Sequence, residues 1–120
     1  MSRLVLVVDD EPDIRAIAQV ALEVVGGLRC AEAACGNEAV AAARAERPDA
    51  VLVDLMLPGE DGVSIATRLR TEAGLAETPI LLLTAAVSAP ESDVIDGVLA
   101  KPFDPLTLAD QIGALAGWSS

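Results

Sequence analysis

The chain has 120 residues, is 52% apolar, and carries a formal charge of −11 with no histidine. That length fits one domain with a sizeable core, and the charge argues against a partner such as DNA, RNA or an anionic membrane surface, all of which are met by lysine and arginine. The absence of histidine removes Ser-His and Cys-His nucleophiles, and Cys30 and Cys35 alone make neither a disulfide framework nor a zinc site.

Reduced thiols in a cytoplasmic protein are therefore expected. Leu4 to Val8 is too short for a secretory signal, and Asp9-Asp10 stops it. No stretch approaches the length of a membrane span.

Arg3 to Val8 (RLVLVV) has the composition of a strand buried on both faces. Pro12 suits the first turn of a helix, and Ile14, Ile17, Ala18, Ala21 and Val25 recur at helical spacing, so a helix is expected over 12–25. Gly26-Gly27 ends it. Leu28 to Ala34 is a more dilute strand. Gly36-Asn37 turns the chain, with Asn37 as the expected cap of a helix running to Glu46. Pro48 breaks that helix, and Ala50 to Val53 is the next strand.

Val63, Ile65, Ala66 and Leu69 mark a third helix, with Gly74 past its end. Pro79 to Leu83 (PILLL) is a fourth strand closed by Thr84. Across 85–97 the pattern is weak: Ser88-Ala89-Pro90 reads as loop, and only Glu91 to Ile95 has room for a short helix. Gly97 to Ala100 is a short fifth strand leading into Lys101-Pro102-Phe103. Asp104-Pro105 is the expected cap and first position of a last helix, with Leu108, Ile112 and Leu115 as its core stripe. Strands alternating with helices argue for an α/β fold with a parallel sheet covered on both faces.

In such a sheet, ligands bind beyond the carboxyl ends of the strands. Asp9 and Asp10 leave the first strand, Asp54 the third, Thr84 the fourth and Lys101 the fifth. A carboxylate at the end of a buried strand is costly unless it meets a cation or donors. Lys101 is the only lysine of the chain. Mg²⁺, which takes hard oxygen ligands and retains waters, fits three crowded carboxylates. A divalent cation, an ammonium, a hydroxyl and a spare carboxylate together suit a phosphoryl group gained by carboxylate attack. Singly, each feature has an ordinary reading: Asp9-Asp10 as a turn, Asp54 or Thr84 as a cap, Lys101-Pro102 as a loop.

Val8-Asp9-Asp10-Glu11, Asp54-Leu55-Met56-Leu57-Pro58-Gly59-Glu60-Asp61-Gly62, Leu83-Thr84-Ala85 and Lys101-Pro102-Phe103 together closely resemble the receiver domain of two-component response regulators. The likeness runs from Leu4 to the end of the last helix. It implies a doubly wound, flavodoxin-like (CheY-like) sheet of order 2-1-3-4-5. It implies that Asp54 is the phosphoacceptor and that Asp9, Asp10, Asp54 and the Met56 backbone carbonyl hold Mg²⁺. Thr84 and Lys101 then contact the phosphoryl group, and the Lys101–Pro102 peptide is cis.

The implied role is a stand-alone response regulator over residues 1–120. Its phosphodonor is a sensor histidine kinase or a histidine phosphotransfer protein, and its output is contact with a downstream protein. Phosphorylation and dephosphorylation of Asp54 are self-catalysed, so the chain is not an enzyme acting on a separate substrate. A cytoplasmic monomer, without nucleic-acid or membrane partners, is expected. The segment 85–97 and the loop 101–104 are the expected contact surface.

Two departures from the family pattern are visible. Val98 stands where many receivers carry a switch aromatic, three residues before the lysine. Thr84 and Lys101 are only 17 positions apart, so the helix between them is short, displaced or partly unwound. Met56 and Ala86 occupy the two positions that tune phosphoryl lifetime in the family, and neither can transfer a proton to or from water. The alternatives are a receiver-like binding module that is never phosphorylated, and a Mg²⁺-dependent phosphohydrolase with an aspartyl nucleophile. The second lacks an acid-base aspartate two residues beyond Asp54, where Met56 stands.

Overall fold

The computed structural model describes residues 2–85 and 92–118. Five parallel strands, β1 (Leu4–Val8), β2 (Arg29–Ala33), β3 (Ala50–Asp54), β4 (Ile80–Thr84) and β5 (Gly97–Ala100), form one sheet of order β2-β1-β3-β4-β5. This is the doubly wound, flavodoxin-like topology. The three central strands, rich in Val, Leu and Ile, are buried at every position, Asp54 and Thr84 at their ends included. Edge strand β2 carries Arg29 and Glu32, which blunt its free side.

Side-chain alternation divides the core in two. On one face Leu6, Val8, Val51, Val53, Ile80 and Leu82 pack against Ala39, Val40 and Ala43 of α2 (Gly36–Glu46) and Ile65, Ala66 and Leu69 of α3 (Gly62–Glu72). On the other, Val5, Val7, Leu52, Leu81 and Leu83 pack against Ala18, Ala21 and Leu22 of the first helix and Leu108 and Ile112 of α4 (Leu108–Ala116). Arg3 lies over the Trp118 ring, 4.7 Å from its centre, and ties the start of β1 to the chain after α4.

The helix expected over 12–25 is α1 (Pro12–Val20) continued by a wider π turn, Ala21–Val25. The extra residue in that turn breaks the 3.6-residue template. Leu22 faces the core, while Val25 is largely exposed, contrary to the sequence pattern. Ile17 is also exposed and borders a groove instead of the core. Gly26 is required where this helix meets α4: a Cβ there would lie 2.5 Å from the Ala109 Cβ.

Two expected caps are displaced. The cap of α2 is Cys35, not Asn37; Glu38 reaches back to accept from the Ala34 N–H, and the Asn37 side chain accepts from Arg68. The cap of α4 is Thr107, not Asp104. The Asp104 carboxylate accepts from the Leu106 N–H, and its carbonyl accepts from Thr107 and Leu108, so residues 105–107 form a turn before the helix begins. Leu115, expected in the core stripe, is 40% exposed.

Ser88-Ala89-Pro90, Ala86 and Glu91 lie outside the described residues. From Ser92 to Asp96 the chain forms a turn, not a helix. Arg70 of α3 secures this short crossover. Its guanidinium donates to the carbonyls of Leu75, Ala76, Thr78 and Val94 and to the Asp96 carboxylate, which also accepts from the Ile80 N–H. One planar fork thus joins the starts of β4 and β5.

Arg70→Ala strips several carbonyls of a charged donor. It is expected to lower unfolding free energy in urea by about 2–3 kcal/mol. Arg70→Lys, a point charge without the fork, should recover less than half of the loss.

Candidate functional site

The carboxyl ends of β1, β3, β4 and β5 bring the predicted residues together. β1 and β3 are neighbours, with Val8 beside Val53, so Asp9, Asp10 and Asp54 meet at one end of the sheet. One carboxylate oxygen from each lies within 4.8 Å of the others. Asp9 and Asp54 are 1% and 6% exposed; Asp10 is open to solvent.

Lys101 follows β5 across the sheet and places its ammonium between the two buried acids. Nζ is 2.9 Å from Asp54 Oδ2 and 3.3 Å from Asp9 Oδ2. The first contact is a hydrogen bond. The second is an ion pair only, leaving Asp9 Oδ2 buried without a hydrogen-bond donor. Asp9 Oδ1 accepts from the Glu11 N–H at 2.9 Å, and Asp54 Oδ1 from the Met56 N–H at 3.2 Å. Buried Thr84 stands at the end of β4 beside Ala100, and its carbonyl accepts from the Lys101 N–H at 2.9 Å. The Lys101–Pro102 peptide is cis. Met56 turns its side chain to solvent.

Burial pushes the Asp9 carboxyl above its ordinary pKa; the Glu11 N–H and the Lys101 charge oppose this, and the Asp54 charge adds to it. Burial pulls the Lys101 ammonium down, but the hydrogen bond to Asp54 and the charges of Asp9 and Asp54 outweigh it and raise the pKa. Three carboxylates gather around one ammonium, an excess of acidic groups that suits a divalent cation. Asp9 Oδ2, ion-paired with Lys101 but without a hydrogen bond, and the all-oxygen donor set fit Mg²⁺, which Asp9, Asp10 and Asp54 would hold.

The loop after Asp54 is closed by close packing. Gly62 donates to the Leu55 carbonyl, and a Cβ on it would stand 2.5 Å from the Asp54 carbonyl oxygen. Asp61 caps α3 through the Ser64 N–H, and Glu60 is held by Arg68 at 2.9 Å. Sequence reasoning missed a further residue. Arg15 of α1 donates from Nη1 to the Asp9 carbonyl at 2.7 Å. Its only signal was a cation one turn into the helix after the acidic pair, which is indistinguishable from ordinary helix surface.

Two grooves flank this framework. One of about 340 Å³ beside Lys101 is lined by Glu11, Ile14, Ile17, Ala85, Pro102 and Phe103. A larger one, about 830 Å³, lies at the opposite end of the strands, around Arg3, Gly26 and Trp118, away from the carboxylates. No helix among the described residues is long and apolar enough to cross a membrane.

The model of a family described as the response regulator receiver domain matches residues 5–113. The phosphate regulon transcriptional regulatory protein PhoB of Pseudomonas aeruginosa is 35% identical over 96% of this chain and 52% of its own length. The DNA-binding response regulator MtrA of Mycolicibacterium smegmatis is 36% identical over 95% of this chain and 50% of its own. The chain thus spans about half the length of these curated relatives. Among solved structures, the chemotaxis response regulator CheY4 of Vibrio cholerae superposes with a TM-score of 0.85 at 31% identity, covering 96% of this chain and 99% of that one. A putative response regulator from Chloroflexus aurantiacus gives 0.84 at 29% identity, covering 98% and 99%. The expectation of no nucleic-acid partner finds no support in relatives named as a transcriptional regulator and a DNA-binding regulator.

The raised pKa of Asp9 has a consequence for stability. A carboxyl whose folded pKa exceeds its unfolded one favours folding while protonated and loses that contribution as pH rises through and above the ordinary carboxylate range. Asp9→Asn retains an oxygen for the Glu11 N–H and removes the charge. In metal-free buffer its melting temperature is expected to exceed wild type at pH 7 by a few degrees. The difference should shrink toward pH 4, as followed by circular dichroism.

Proposed function

Because the chain belongs to the response regulator receiver domain family, we propose that it accepts a phosphoryl group on Asp54 and passes the signal on by protein contact. The observation that carries this reading is the Asp54 carboxylate, buried at a strand end, with Lys101 Nζ 2.9 Å away and two further acids beside it.

The donor is a phosphohistidine of a sensor kinase or histidine phosphotransfer protein, or a small acyl phosphate. An Asp54 oxygen attacks phosphorus, the P–N or P–O bond to the donor breaks, and the donor departs with the bonding electrons. The product is an acyl phosphate on Asp54, later hydrolysed by water. Mg²⁺, when bound by Asp9, Asp10, Asp54 and the Met56 carbonyl, offsets negative charge on the transferring phosphoryl oxygens.

Lys101 donates a hydrogen bond to the Asp54 carboxylate before transfer and supplies an ammonium to the phosphoryl group afterwards. The Thr84 hydroxyl is a second donor to that group. The only acceptor is the chain's own Asp54, so it turns over no separate substrate. The apolar groove beside Lys101, with Ile14, Ile17 and Phe103, suits contact with the donor protein. A cytoplasmic site of action follows from that donor.

Incubation with a small acyl phosphate and Mg²⁺ is expected to add one phosphoryl group by intact mass, and none to Asp54→Ala. A wild type that takes no phosphoryl group from acyl phosphate or from phosphohistidine donors would instead favour a binding module that is never phosphorylated. Met56 is 75% exposed at the mouth of the site and has no group to orient water. The phosphoryl lifetime is therefore expected to shorten severalfold in Met56→Asn with Ala86→Glu, measured by decay of the adduct after donor removal.

A further inference from the structure

Asp10 is the exposed member of the acidic cluster, and its side chain makes no hydrogen bond among the described residues. Its position is therefore set by backbone. On the strand side the Asp9 N–H, part of the preceding Val8–Asp9 peptide, donates to the Ala33 carbonyl at 3.0 Å. On the other side the Asp9 carbonyl accepts from Arg15 Nη1 at 2.7 Å. Arg15 is itself aimed by Glu32 of β2, 3.2 Å from Nε. Its own N–H donates to the Glu11 carbonyl, so the side chain springs from the first turn of α1.

We propose that Arg15 is a positioning residue for the cation site: by fixing the Asp9–Asp10 peptide plane, it holds the Asp10 carboxylate beside those of Asp9 and Asp54. This rests on the receiver reading, in which those three acids take Mg²⁺. Electrostatics alone predicts the opposite influence. A guanidinium near the site repels a dication, and its removal should tighten binding. Positioning predicts that removal loosens binding, because Asp10 gains freedom it must lose again on ligation. The two accounts therefore differ in sign.

The test is calorimetric titration of the full chain with MgCl₂, without any phosphodonor, for wild type, Arg15→Ala, Arg15→Lys and Asp10→Ala. Metal-free melting temperatures are recorded alongside. Arg15→Ala is expected to weaken Mg²⁺ binding by roughly tenfold. Arg15→Lys, able to make one of the two contacts, should recover part of that affinity. Arg15→Gln serves as the neutral variant if the alanine variant does not fold. Unchanged or tighter binding in the neutral variant, with Asp10→Ala impaired, would overturn the positioning role and leave the receiver reading intact. A wild type that binds no Mg²⁺ would overturn both.

Discussion

Two buried carboxylates and one exposed one share a single end of the sheet, with one ammonium among them. Parallel pairing of β1 with β3 imposes this crowding, because it brings Asp9 and Asp54 to the same level. Such like charges oppose folding unless something compensates. Among the described residues, only Lys101 bridges both buried acids, and it must be delivered from β5, two strands away from β3. The order of the sheet, the reach of the lysine and the crowding of the acids are thus one constraint seen from three sides.

Delivering Lys101 demands a well-placed β5, and the crossover that leads to it is short. Arg70 answers this by binding the carbonyls before β4 and the chain before β5 in one fork. Arg68 does similar service for the loop after Asp54, reaching Glu60, Glu72 and Asn37. Arg15 does so for the loop after β1. In each case a guanidinium on a helix organises irregular chain near or below the site. Arginine suits this because its planar donors meet several oxygens at once and its charge persists at every accessible pH. Bonds to backbone carbonyls also resist screening better than surface ion pairs between mobile side chains.

The strands were legible because their signal is local. A run rich in Val, Leu and Ile bounded by Asp or Thr means the same thing in most contexts and marks β1, β3 and β4, while β2 and β5 follow from the alternation with helices; all five appear within a residue or two of expectation. The gathered acids were legible for the same reason, each lying just past such a run. What failed depended on competition between nearby groups. Asn37 has the right chemistry for a cap, but Glu38 satisfies the Ala34 N–H and Arg68 takes the Asn37 oxygen. Asp104-Pro105 has the composition of a helix start, yet the Asp104 carboxylate closes on Leu106 and delays α4 to Leu108. The π turn at 21–25 leaves no mark in a pattern read at 3.6 residues per turn. Arg15, Arg68 and Arg70 are invisible as a class, since an arginine on a helix surface shows its acceptors only when the loops are in place.

Output from this receiver must take a route other than an aromatic swing. Val98 stands three residues before Lys101, exposed on β5, and the only phenylalanine, Phe103, lies beyond the lysine beside the apolar groove. A connection between the two strand ends is nonetheless built into the backbone. The Lys101 N–H donates to the Thr84 carbonyl, so the ends of β4 and β5 are tied together. On the proposed reading, a phosphoryl group on Asp54 draws on the Thr84 hydroxyl and the Lys101 ammonium together. Each charge-assisted contact is worth roughly 1.5–3 kcal/mol. That is comparable to the coupling of about 1–3 kcal/mol that biases a two-state surface. Because Arg70 pins the beginnings of the same two strands, displacement is confined to their carboxyl ends. The surface that would change on that reading is Ala85 and the Pro102–Phe103 wall of the groove, which Ile14 and Ile17 of α1 also line. On the proposed reading, phosphodonor docking and phosphorylation-dependent change share one surface, and a donor protein released after transfer would leave a groove already altered by the group it delivered.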